Sequence, residues 1–242
     1  MKIIEKMKKK SLDCASHEGV TIAVLGDSVT QGCFELFHGE DGGTGVVFEQ
    51  AQSYSRKLYD ILSYLYPQVP INIINAGISG DRSTAARARV QRDVIRHAPD
   101  LVVVCFGLNE CGDGEAGVRS YVGGLTDIFD QLSAAGCEII YMTPNMKNTR
   151  MSTKLLDTEF IHGMARRGMQ VQNDGTFDRH IEAARALCRE RGIPVCDCYA
   201  LWKTLAASGV DTTALLSNRL NHPTREMHWM FAYELVKTMF LQ

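Results

Sequence analysis

The chain has 242 residues, enough for one large α/β domain with a substantial core, and its length requires no second one. Its formal net charge of −2 gives no overall basic character of the kind that marks a nucleic-acid partner, and the runs Lys8-Lys9-Lys10 and Arg166-Arg167 read as solvated surface. No apolar run approaches the ~18–20 residues that cross a bilayer, and the lysine-rich Met1–Ser11 is not followed by a signal-peptide core, so the expectation is a cytoplasmic protein.

Met1 to Glu18 reads as a short polar helix or arm (residues 1–18) ahead of a single domain over 19–242. Val20 to Gly26 is the first strand, an apolar β-branched run that breaks at Gly26 and offers Asp27, Ser28 and Thr30 in a turn. Gln31 to Gly45, rich in glycine, acidic and aromatic residues, reads as a long loop. Phe48 to Tyr66 has a helical rhythm, stopped by Pro67 and Pro70. Ile71 to Asn75 is a second strand, and Ser83 to His97 reads as a helix. Leu101 to Phe106 is unbroken and apolar, as a strand buried on both faces must be.

Gly117 to Ala135 is a helix with one apolar side, and Cys137 to Met142 a fourth strand. Met146 to Thr176 is the least regular stretch, with a short helix expected around Leu155 to Met164. Phe177 to Arg191 is a helix ended by Gly192, Ile193 to Cys196 a short fifth strand, Tyr199 to Ala207 a short helix, and Thr224 to Leu241 the last helix. This alternation predicts a flavodoxin-like three-layer α/β/α sandwich around a parallel five-stranded sheet with right-handed crossovers.

The eight cysteines include no C-x-x-C pair. In a chain of this size without a secretion signal they read as reduced thiols, several of them small buried hydrophobes. Cys33 and Cys111 lie beside the loops of interest, but neither has an evident base to activate it. Cys196-Asp197-Cys198 lacks partners at metal-ligand spacing, so neither a metal nor a cofactor is expected.

Three strands end in small polar clusters, at Ser28, at Gly80 and at Asn109, and a His-Pro pair, His222-Pro223, precedes the last helix. Singly, each has an ordinary reading: a helix cap, a turn glycine, an asparagine bonding its own backbone, a histidine capping a turn. Together they form a set that acyl transfer requires. Ser28 is the candidate nucleophile and His222 the candidate base. The Ser28 amide, the Gly80 amide and the Asn109 side chain are candidate donors to an oxyanion, and glycine at position 80 lets backbone approach the substrate.

These stretches resemble the blocks of the SGNH hydrolases, the GDSL esterase/lipase family. Gly26-Asp-Ser-Val-Thr30 resembles the first block, with Val29 where Leu is usual. Asn75-Ala-Gly-Ile-Ser-Gly-Asp81 resembles the second, Gly107-Leu-Asn-Glu110 the third with Glu where Asp is common, and Asn221-His-Pro-Thr224 the last. Thr30 stands where an α/β-hydrolase elbow would need glycine. The resemblance implies a flavodoxin-like fold and an esterase, with Asp27 structural rather than catalytic.

Arg219 occupies the position, three before the histidine, where the family usually has aspartate. Asn218, a backbone carbonyl, or an acid from elsewhere such as Asp211 is then the candidate orienter of the imidazole, giving a Ser–His dyad. His228 is a rival base, six residues on and expected inside the last helix. The mixed polar composition of the loops 31–45 and 146–176 points to a small-molecule or carbohydrate ester with a short acyl group, acetyl foremost. A lysophospholipase, thioesterase or acyltransferase on the same site, and a non-catalytic flavodoxin-like binding module, are the alternatives. A homo-oligomer is compatible with this reading.

Overall fold

A computed structural model describes residues 1–40 and 42–241. Five strands form one parallel sheet: β1 (Val20–Gly26), β4 (Ile71–Gly77), β5 (Leu101–Cys105), β6 (Glu138–Met142) and β7 (Val195–Cys196), in the order β4-β1-β5-β6-β7. Helices cover both faces. Alternation along each strand splits the side chains between two cores, Ile22 and Val24 facing one, Ala23 and Leu25 the other. The first core is completed by helices α3 (Tyr54–Leu65), α9 (Cys198–Ala207) and α10 (Arg225–Leu241), the second by α6 (Gly117–Ala134) and α8 (Thr176–Arg191). No described helix is long and apolar enough to cross a membrane.

The chain leaves β1 for β4 on one side and then returns to β5 on the other. The strand order therefore reverses at β1, and in an open α/β sheet the carboxyl ends beside such a reversal border the ligand crevice. Ser28 follows β1, Gly80 follows β4 and Asn109 follows β5, so the order of the strands alone gathers these three loops.

Several expected elements differ in extent. The loop 31–45 gives way to an antiparallel hairpin, β2 (Cys33–His38) with β3 (Thr44–Phe48); Asp41 within that stretch lies outside the described residues. Phe34, Leu36 and Phe37 on one side and Val46, Val47 and Phe48 on the other supply the β-prone side chains that the glycines and acids around them obscured. The segment 83–97 is interrupted: α4 (Ser83–Ala86) and α5 (Val90–Asp93) are separate short turns, followed by a 3₁₀ turn at Ile95–His97. Arg89, at the break, turns inward to Asp81 (2.5 Å) and to the carbonyls of Ala76 (2.7 Å) and Gly26 (3.3 Å). In the irregular stretch, α7 runs over Glu159–Asn173, later and longer than expected, because Thr158 caps it by accepting from the Ile161 amide. The amino-terminal helix α1 (Lys2–Leu12) is amphipathic: Ile3 and Met7, four apart, are buried in the first core, and Glu138 accepts from the amides of Lys2 and Ile3.

Candidate active site

β1 ends at Gly26 and the chain turns at once into the four-residue helix α2 (Ser28–Gln31). Asp27 caps it, its Oδ1 accepting from the Val29 amide at 3.0 Å. Burial pushes the Asp27 carboxyl up to about 7. The turn is anchored from three sides: Thr30 bonds Tyr54 through their hydroxyls (2.9 Å), Asn75 Nδ2 donates to the Thr30 carbonyl (2.8 Å), and Gln31 Oε1 accepts from the Ser79 amide (2.6 Å). Gly77 has to be glycine because the backbone of Thr30 and Gln31 lies where a Cβ would stand. The backbone that carries Ser28 is thus held by packing and hydrogen bonds on three sides.

His222 lies in the loop before α10, and Nε2 stands 3.1 Å from Ser28 Oγ. Nδ1 stands 2.8 Å from the Phe34 carbonyl. A carbonyl only accepts, so Nδ1 carries the proton, and Nε2 is left as the acceptor facing the serine hydroxyl. Burial pushes the imidazole down to about 4, partly offset by the Phe34 carbonyl. It is therefore neutral near pH 7.

The Nδ1 partner is a main-chain oxygen, and neither Asn218 nor Asp211 bonds the ring. Asn218 holds the loop itself: its Oδ1 accepts from the amides of Leu220, Asn221 and His222, each at 3.0 Å. Asp211 pairs with Arg150 and caps the turn Thr212–Leu215 instead of meeting the ring. Arg219 sits at φ +59°, its guanidinium on the Ala214 carbonyl. Among the described residues no carboxylate bonds the His222 ring. The rival, His228, is inside α10 and fully buried; its Nδ1 accepts from the Tyr54 amide at 2.9 Å, which spends it on structure.

Gly80 has φ +78°, with open space where a Cβ would go, so conformation and not crowding asks for glycine there. The Ser28 and Gly80 amides have no hydrogen-bond partner among the described residues. Asn109 Nδ2 donates one proton to the Asp81 carbonyl at 2.8 Å, which orients the amide and leaves the second proton. Asp81 is itself held by buried Arg89, and Glu110, also buried, accepts from the amides of Ser83 (2.7 Å) and Gly107 (3.0 Å). These carboxylates brace the loops. The cysteines nearby are poor nucleophiles: burial pushes Cys33 up to about 11 and raises Cys111.

Sequence reasoning missed the clamp that places Phe34. Arg225 donates to Glu35 Oε1 (2.6 Å) and Oε2 (3.0 Å) and to Glu49 Oε1 (2.7 Å) and Oε2 (2.8 Å), and lies 4.4 Å from the Phe34 ring centre. It ties β2, and the residue that follows β3, to the start of α10. A signal existed: a cation in the first turn of a helix opposes the macrodipole, so Arg225 needed acidic partners.

A model of the GDSL-like lipase/acylhydrolase family matches residues 24–230. An acetylxylan esterase of Geobacillus stearothermophilus is 30% identical over 92 residues, which cover 38% of this chain and 40% of that protein. Among solved structures, Axe2, an acetylxylan esterase from Geobacillus stearothermophilus, superposes with a TM-score of 0.67 at 20% identity, over 93% of this chain and 96% of its own. A two-domain esterase (CEX) active on acetylated mannans gives 0.65 at 19% identity, over 97% of this chain and 52% of its own. With the family model spanning most of the chain, and the fold and loop order as described, the chain belongs to the GDSL-like lipase/acylhydrolase family.

Proposed function

We propose that the chain is a serine carboxylic ester hydrolase that removes short acyl groups, acetyl foremost, from carbohydrate hydroxyls. The observation that carries the reading is the relay from Ser28 Oγ through the His222 ring to the Phe34 carbonyl. Ser28 Oγ attacks the ester carbonyl while His222 Nε2 takes its proton. Charge on the carbonyl oxygen is met by the Ser28 amide, the Gly80 amide and the free proton of Asn109 Nδ2, each such donor being worth ~3 kcal/mol of barrier. His222 returns the proton to the departing alcohol, and water, activated by the same ring, releases the acid from Ser28.

The catalytic unit is a dyad. The Phe34 carbonyl fixes the tautomer as a triad carboxylate would, but as a dipole it stabilises the imidazolium less than a full charge does. The preference for acetyl on a carbohydrate draws on the acetylxylan esterase relative and on the charged side chains Arg82, Asp113, Lys147 and Arg167 in the hollow beside Asn109.

A fluorophosphonate probe should label the wild type and neither Ser28→Ala nor His222→Gln. p-Nitrophenyl acetate should be hydrolysed faster than long-chain homologues. Labelling that persists in Ser28→Ala would refute the assignment of the nucleophile, and equal or better rates on long chains would refute the short-acyl preference.

A further inference from the structure

Beside Asn109 the surface opens into a cavity of about 270 Å³, between the 3₁₀ segment Glu110–Ala116 and α7. Its polar wall holds Arg82, Lys147, Arg167 and a single carboxylate, Asp113. Three cations against one anion is the reverse of the chain as a whole, whose net charge is −2. The other carboxylates at hand are engaged: Asp81 with Arg89, Glu110 with two backbone amides.

The three cations are held in place with donors to spare. Lys147 Nζ gives one proton to the Leu108 carbonyl at 2.9 Å, next to Asn109 in the chain. Arg167 is fixed on the Gly112 carbonyl through Nε and Nη2, and Arg82 on Asp113 through Nη1. Two protons of Lys147, Nη1 of Arg167, and Nε and Nη2 of Arg82 have no partner among the described residues. Asn109, the candidate oxyanion donor, lines the same hollow, which puts the cations beside the proposed site. A second hollow of about 340 Å³ shares Gly112, Arg167 and Val171 with it; its carboxylate, Asp174, is engaged with the Thr176 amide.

We propose that this cleft receives the alcohol part of the ester and selects one that carries a negative charge, as in an acetylated acidic sugar. The inference rests on the esterase reading above and names its substrate class. Arg167 and Lys147 would face the anion, and Asp113 tempers the field and holds Arg82.

The test compares kcat/KM for a mono-acetylated methyl glucuronoside, a mono-acetylated glucose phosphate and the neutral mono-acetylated methyl glucoside. A charged substrate should exceed the neutral one by about tenfold, the scale of one or two charge-assisted hydrogen bonds, and added salt should shrink the ratio. Arg167→Gln and Lys147→Met should each lower the charged-to-neutral ratio several-fold, and Asp113→Asn should raise it. Whichever charged arm leads identifies carboxylate or phosphate as the group recognised. A neutral substrate turned over as well as both charged ones, or a ratio untouched by Arg167→Gln, would overturn the proposal while leaving the esterase intact. No turnover of any ester together with no fluorophosphonate labelling of Ser28 would instead sink the esterase reading, and this inference with it.

Discussion

Gly77→Ala is a severe test of how Ser28 is positioned. A Cβ at residue 77 would lie 2.7 Å from the Thr30 carbonyl carbon and 2.8 Å from Gln31 Cα, and closer still to the Gln31 nitrogen. All three are backbone atoms, with no flexible side chain to swing aside. Ordinary contact begins at 3.4 Å, so α2 must retreat by about 0.7 Å or more. That helix carries Ser28, whose Oγ is 3.1 Å from His222 Nε2. A displacement near 1 Å at reacting atoms costs on the order of 10²-fold in rate, and overpacking costs ~1–3 kcal/mol of stability. The assay is kcat/KM on p-nitrophenyl acetate alongside urea unfolding, with Gly163→Ala as control, since its Cβ meets nothing within 4 Å. The expected result is a ~10²-fold loss in Gly77→Ala and wild-type rates in the control. Full activity with unchanged stability in Gly77→Ala would refute the claim that this backbone contact positions Ser28.

Two further predictions concern the histidines and the hairpin. Burial holds His222 at about 4 and His228 at about 3, so both stay neutral in the fold where the unfolded chain, titrating near 6.5, becomes charged. Stability therefore falls as pH drops from 6.5 towards 4, by ~1.4 kcal/mol per pH unit for each ring. Asp27, raised to about 7 from 3.8, opposes this between those two values and offsets one ring. His228→Gln should then reduce the slope of stability against pH by ~1.4 kcal/mol per unit between about pH 4.5 and 6 relative to the wild type; urea unfolding across that range checks it, and an unchanged slope would count against His228 being buried and neutral. Arg225→Gln frees Glu35 and Glu49 and loosens the hairpin that carries the Phe34 carbonyl. A ~10-fold fall in kcat with little change in KM is expected, with partial rescue by Arg225→Lys; a change in KM alone would show that the clamp shapes binding and not the imidazole.

The order of apolar runs and breaks carried the doubly wound sheet, since a parallel strand buried on both faces has to be written in consecutive apolar residues, as Leu101–Cys105 is. The clusters at Ser28, Gly80, Asn109 and His222 were legible as candidates because acyl transfer calls for those side chains, or for the lack of one. Elements that depend on a distant partner were not legible. The Ser83–His97 helix breaks where Arg89 reaches inward to Asp81 and to carbonyls of β1 and β4, and local propensity has no knowledge of that reach. Likewise, the hairpin's β character was masked by the glycines and acids around it.

Sequence by itself determined the layers, the candidate nucleophile and the candidate base. Tertiary structure alone decided which atom meets the Nδ1 of the candidate base. Every residue has a carbonyl, so nothing in the letters distinguishes Phe34, 188 positions from His222, as the one the ring would meet. The same is true of the cationic cleft: Arg82, Lys147 and Arg167 are far apart in the chain and become one field only when two loops and helix α7 come together beside Asn109.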